Sequence, residues 1–147
     1  MEVKFGGKDV RILSGYGPQE NWKREDKMPF FRAFEEEIVK ATLHGKGIYI
    51  EPDANSKLGP TEIEGDPHPQ SDNGKILARI IKRQSLIVMN NVKNKCKGKI
   101  TRRRITKKSK EESVIDFVIV NDEIEDLISE VIIDEERKHV LANFRKT

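Results

Sequence analysis

A chain of 147 residues with 36% charged side chains is long enough for one folded domain, and its apolar residues fall in periodic clusters rather than the even dilution of a disordered chain. The single Cys96 excludes an internal disulfide, and His44, His68 and His139 are too widely spread to form a zinc-binding pattern. No apolar run is long enough to span a membrane and the acidic start lacks the pattern of a signal peptide, so an intracellular protein, cytoplasmic or nuclear, is expected.

The net charge of +3 conceals a segregation. Between Lys93 and Lys110 there are ten basic and no acidic residues, and between Glu111 and Glu136 eleven acidic and no basic ones. The basic block suits a polyanion.

Along the chain, the alternation around Val10 and Ile12, ended by "GYGP", predicts a strand over 9–15 that leaves Tyr16 at its exit. Pro29 suits a first helical turn, and Phe30, Phe34, Ile38 and Ala41 recur at helical spacing up to Gly45. A strand over 47–51 follows, then a loop of about twenty residues rich in Gly, Pro, Asp and Ser, a length usually functional or disordered. Ser71 or Asp72 caps a second helix that buries Ile76, Leu77, Ile80 and Ile81. Strands are predicted at Leu86–Asn90, Lys99–Thr106, Val114–Val120 and Val131–Ile133, with a helical turn near Asp122–Ile128. The run "FVIV" reads as a strand covered on both faces. This order predicts an α+β protein with mixed α/β layers.

Strand 47–51 delivers "PDAN" into the long loop. If the extended backbone persists, Asp53 and Asn55 point to one face; a plain turn explains the same residues. Lys93, Lys95, Lys97 and Lys99 at period two, continued by Arg102, Arg103 and Arg104, form either a row that follows a phosphate backbone or a solvated hairpin face. The block has no aromatic residue for base stacking, so sequence-specific readout is not indicated.

Four segments in order carry a resemblance: "RILSGYGPQEN" (11–21), "IEPDANSKLG" (50–59), "SDNGKILARIIKRQSLIVMNN" (71–91), and "KGKITRRR" with "ESVIDFVIV" (97–120). Together they resemble the endonuclease/exonuclease/phosphatase superfamily, in particular the endonuclease domains attached to reverse transcriptases of non-LTR-type retroelements. The resemblance implies a partial four-layer α-β-β-α sandwich, with residues 1–147 as one domain matching the incomplete C-terminal portion of the family's fold. It implies that Asp53 orients or deprotonates the attacking water, that Asn55 binds the scissile phosphate or nucleophile, that Tyr16 contacts phosphate, and that Asp116 is the buried acid that orients a catalytic His. Lys97, Lys99, Arg102, Arg103 and Arg104 are the expected nucleic-acid contacts, DNA before RNA. Mg²⁺ or Mn²⁺ is the implied cofactor, its ligands unassigned.

The chain departs from that pattern. The upstream Asn and metal-binding Glu and the closing Ser-Asp-His motif have no counterparts, which predicts a missing upstream half or self-association, and weak or absent activity for the chain alone. His139 matches a segment before the terminal motif and reads as a surface residue; His44 and His68 read as capping and loop residues. Glu20 belongs to the Tyr16 loop and is not taken as the missing ligand. Pro52 restricts the backbone before Asp53 and is expected to alter its aim. With no His, the donor to Asp116 is expected from Thr101, Arg103 or a backbone amide. Two alternatives are a non-catalytic nucleic-acid-binding or interaction module on the same scaffold, and a phosphatase of the same superfamily.

Overall fold

The computed structural model describes residues 1–136 and 139–145. The chain opens with a hairpin in which strands β1 (Glu2–Phe5) and β2 (Lys8–Tyr16) turn through Gly6 and Gly7, both at positive φ, the backbone that a two-residue hairpin turn requires. Helix α1 (Arg24–Leu43) then carries the chain over to β3 (Gly47–Asp53), which runs parallel to β2. After the long loop come α2 (Asp72–Arg83), β4 (Ile87–Val88), a 3₁₀ turn at Met89–Asn91 and β5 (Cys96–Lys97). The remainder is a hairpin of β6 (Arg102–Ile105) and β7 (Lys110–Ser113), then β8 (Ile119–Val120), the short helix α3 (Asp122–Glu125), β9 (Ile128–Asp134) and β10 (His139–Phe144).

A five-stranded sheet in the order β1-β2-β3-β8-β4 has apolar residues on both faces. On one face Ile48, Ile50 and Ile119 meet Phe31, Ile38 and Ala41 of α1 and Ile76, Leu77 and Ile80 of α2. On the other, Val10, Val118 and Val120 pack with Ile128 and Val131 of a three-stranded sheet ordered β10-β9-β5, and with Ile124 of α3. Period-two alternation divides the central strands between these two cores. The described residues therefore form a helix layer and two β layers of an α+β fold, with the β6–β7 hairpin standing apart from both sheets. No helix among the described residues is long and apolar enough to cross a membrane.

Several predicted boundaries shift for physical reasons. Helix α1 begins at Arg24, so Pro29 lies inside it rather than in its first turn. The charged run "KREDK" hides that start, although Glu25 and Asp26 complement the helix dipole there. The strand expected at Val114–Val120 is paired only at Ile119–Val120, because the side chain of Asn90 takes over the ladder: its Nδ2 donates to the Asp116 carbonyl at 3.0 Å and its Oδ1 accepts from Val118 N at 3.1 Å. The same turn at Met89–Asn91 cuts short the strand expected at Leu86–Asn90. "FVIV" is nonetheless buried on both sides, as its composition requires.

The long loop is ordered by its own contacts. Leu58 and Ile63 are buried in the helix-side core. Ser71, the N-cap of α2, accepts from Gly74 N and from Lys57 N at 3.0 Å each, while Ser71 N donates to the Lys57 carbonyl. Gly74 permits this contact, because a β-carbon there would stand 1.9 Å from the Lys57 carbonyl oxygen.

Replacing a helical Gly by Ala ordinarily stabilises by about 1 kcal/mol, but at Gly74 the clash must be relieved by moving the helix from the loop, at a cost of roughly 1–3 kcal/mol or more. Gly74→Ala is expected to lower the melting temperature by several degrees in a circular-dichroism melt; an equal or higher value would contradict this packing.

Candidate active site

The parallel register of β2 and β3 places Tyr16 beside Asp53 at the ends of the two strands. Both are exposed, Tyr16 at 70%. Pro52, in register with Gly15, is buried, and alternation turns the Asp53 carboxylate outward. The two strand exits are tied together: Gly17 N donates to the Asp53 carbonyl at 2.6 Å, and a β-carbon on Gly17 would meet the Ala54 backbone at 2.7 Å. Only glycine allows this approach.

Asn55 occupies the left-handed region with φ 44°, which short amide side chains tolerate better than most. One N–H of its amide donates to the Gly17 carbonyl at 2.9 Å. Its second N–H and its Oδ1 remain available to the cleft that Asn55 lines.

Asp116 lies at the same end of the molecule. The Thr101 hydroxyl, almost wholly buried, accepts from Ile115 N at 2.8 Å and Asp116 N at 3.1 Å and also hydrogen-bonds the Asp116 carboxylate. These contacts use the full donor and acceptor capacity of a hydroxyl. Of the donors expected for Asp116, Thr101 is the one that serves. Burial raises the Asp116 pKa, Thr101 opposes the rise, and the negative charge of Asp53 adds to it.

Two loop positions are committed to holding the site. The Glu20 carboxylate accepts from Asp72 N at 2.8 Å and Asn73 N at 3.2 Å, capping α2, and the buried Lys27 donates to the Glu20 carbonyl. Asn73, fully buried, donates to the Pro18 carbonyl at 2.8 Å and the Asn55 carbonyl at 3.2 Å. Sequence reading did not single it out, although an amide at helical spacing from Leu77 and Ile80 signals a buried polar contact.

An open cleft of about 460 Å³ adjoins these residues. Its lining includes Asn55, Lys57 and His68, Gln19, Glu20 and Ser71, and Arg102 and Ile115. His68, read from sequence as a loop residue, faces both Lys57 Nζ at 2.9 Å and Glu111 Oε1 at 3.0 Å.

The basic block divides. Arg102 and Arg104 project from one face of β6, whereas Arg103 turns to the other and binds Glu112 at 2.9 Å. The lysine row does not form a free strip: Lys93 pairs with Glu64, Lys95 with Glu125 and Lys97 with Glu130. Only Cys96–Lys97 of that segment is a strand, so strict period two is lost. Lys99 is exposed and reaches over Gly65, and neither it nor Lys97 lines the cleft. His44 Nδ1 donates to the Lys40 carbonyl at 2.7 Å near the end of α1, in keeping with a capping role. The side chain of His139 lies outside the described residues. Among the described residues no group of three or more His, Cys, Asp or Glu is placed to hold a metal ion.

No protein-family model matches the chain, and no curated protein matches it. Among solved structures, the endonuclease domain of TRAS1, a telomere-specific non-LTR retrotransposon, superposes with a TM-score of 0.69 at 17% identity over 99% of this chain. The chain has a retroelement-endonuclease-like fold. It spans 62% of the length of that structure.

Because the folded-state pKa of Asp116 is raised, the folded protein holds its proton more tightly than the unfolded chain does. Stability from this group is full below the ordinary Asp value and is lost as pH rises through the raised value. Asp116→Asn is therefore expected to melt about 2 °C higher than the parent at pH 7, with the gain vanishing near pH 3. A gain that persists at acidic pH, or a loss at neutral pH, would contradict the assigned environment.

Proposed function

We propose that this chain is the phosphodiester-hydrolysing end of an endonuclease-like domain that acts on nucleic acid, with DNA as the substrate. The observation that carries the reading is the convergence of Tyr16, Asp53, Asn55 and Asp116, from three separate segments, at one end of the central sheet beside an open cleft. The fold likeness to a retrotransposon endonuclease domain supports it. The reading further takes the layers described above as part of a four-layer α-β-β-α arrangement of the superfamily, completed by a further half-domain or a second copy.

Each residue type suits a step of hydrolysis. The exposed Asp53 carboxylate orients a water for in-line attack and accepts its proton. The free N–H of Asn55 and the Tyr16 hydroxyl donate to non-bridging phosphate oxygens, where negative charge develops. Arg102 and Arg104 hold the flanking backbone as cations without reading base identity.

Mg²⁺ or Mn²⁺ is the cofactor this reaction class implies, but the residues present do not make a complete site. Asp53 and Asp116 supply two carboxylates and no third acid joins them among the described residues. Activity of the chain alone is expected to be weak, since the groups of a catalytic unit do not act additively. That shortfall favours one second reading, a nucleic-acid-binding module that keeps the scaffold without the chemistry.

Nicking of supercoiled plasmid in Mg²⁺ separates the two. A slow but measurable rate is expected, and Asp53→Asn is expected to lower it by about 10²-fold. Nicking that Asp53→Asn leaves unchanged rejects the site; binding of DNA with no nicking above background transfers the chain to the second reading.

A further inference from the structure

Glu111, on β7 of the hairpin, draws Lys57 and His68 of the cleft to one carboxylate, on which the charge of Arg102 also acts. Its Oε1 lies 3.0 Å from His68 Nε2 and 3.7 Å from Lys57 Nζ. His68, then Lys57 and Arg102, hold the Glu111 carboxyl below the usual carboxylate range.

This cluster is not an ordinary surface ion pair. Lys57 Nζ and His68 Nε2 are only 2.9 Å apart and both turn to the same oxygen. If the neutral imidazole carries its proton on Nδ1, Nε2 accepts from Lys57 but confronts a carboxylate oxygen; if the proton is on Nε2, it donates to Glu111 but confronts the ammonium. Either tautomer leaves Nε2 facing one neighbour with which it cannot hydrogen-bond. A phosphate, with several oxygens, gives each base its own acceptor, and Arg102 is suited to phosphate geometry. Lys57 and His68 belong to the ordered loop and Arg102 to β6, all lining the cleft, whereas the Glu111 side chain is 49% exposed and can return to water.

We propose that this cleft is a second phosphate subsite, in which Lys57, His68 and Arg102 hold one phosphate while Glu111 occupies its place in the empty protein. The proposal rests on the endonuclease-like reading only for the source of that phosphate, a backbone group of the strand next to the one at Asp53 and Asn55. Glu111 then acts as a built-in competitor that sets the affinity of the cleft.

The test is calorimetric titration of the full chain, without divalent metal and at low salt, with inorganic phosphate and separately with a single-stranded DNA oligonucleotide bearing no terminal phosphate. Glu111→Gln is expected to tighten both by about fivefold, from release of the surface ion contacts. Glu112→Gln removes the same charge from the opposite face of β7 and is expected to change either affinity by less than about twofold. Adding Lys57→Ala to Glu111→Gln should cancel the gain. No tightening in Glu111→Gln, or an equal gain in Glu112→Gln, overturns the subsite. Tightening for inorganic phosphate but not for the oligonucleotide overturns the backbone assignment and leaves a site for a free phosphate monoester. Because nothing here depends on cleavage, unchanged nicking by Asp53→Asn beside a tightened Glu111→Gln would reject the endonuclease reading while retaining the subsite.

Discussion

Asn73, shut away from solvent in the first turn of α2, donates through its amide to the carbonyl of Pro18 in one loop and of Asn55 in another. Three segments far apart in sequence are thereby fixed to one another, and each carries part of the candidate site: Tyr16 with Gly17, Asp53 with Asn55, and the helix that Glu20 caps. A buried hydrogen bond of this kind contributes about 1 kcal/mol, but leaving its partners unpaired costs more, roughly 1–3 kcal/mol. The constraint is therefore stronger against distortion than its net stabilisation suggests. Gly17 completes it, since the close approach of its backbone to Ala54 leaves no room for a side chain.

The central sheet explains why such a site can be rigid although two of its members lie beyond the last strand residues. With apolar residues of β2, β3 and β8 in both cores, neither strand exit can shift without disturbing packing on both faces of the sheet. The long loop shares this anchorage through Leu58 and Ile63, and through the reciprocal bonds between Lys57 and Ser71. Lys57 and His68 consequently project from a fixed wall, while Arg102 and Glu111 come from a hairpin paired to neither sheet. The cleft thus has one wall built into the fold and one wall that is an appendage.

The sequence was most readable where one local rule acted alone. Val10 and Ile12, Ile48 and Ile50, and the buried face of α2 each follow a single period, and the structure places them in the cores. The cost of unpaired polar groups pointed to Ser71 or Asp72 as a cap and to Thr101, Arg103 or a backbone amide as the donor to Asp116, and the structure uses Ser71 and Thr101. What was hidden depended on groups distant in sequence: Asn90 replacing a strand ladder, Asn73 bridging two loops, Glu111 meeting His68 across the cleft. The alternating lysines left two readings open, because period two describes spacing along an extended chain, and the acids that pair with Lys93, Lys95 and Lys97 come from the long loop, α3 and β9. The resemblance to retroelement endonucleases agrees with the fold likeness.

Asp116 shows how the site stands in tension with the fold. A carboxylate placed between Ile115 and Phe117, where burial and the charge of Asp53 both disfavour its ionised form, lowers stability at neutral pH. Thr101 offsets part of that cost, and it does so by committing an entire buried hydroxyl to one turn of backbone. An amide or a hydrophobic residue would fit the packing at less expense to the folded state. The arrangement becomes intelligible if the electrostatic repulsion is relieved when a cationic group or a proton donor enters beside Asp53, because the same term that weakens the empty protein then favours the occupied one. The neighbouring cleft follows the same logic with opposite sign: Lys57 and His68 crowd one carboxylate, and an anion with more oxygens would relax them. Both clusters are poorly satisfied in the empty protein, they lie at one end of the sheet, and their charges are of opposite sign.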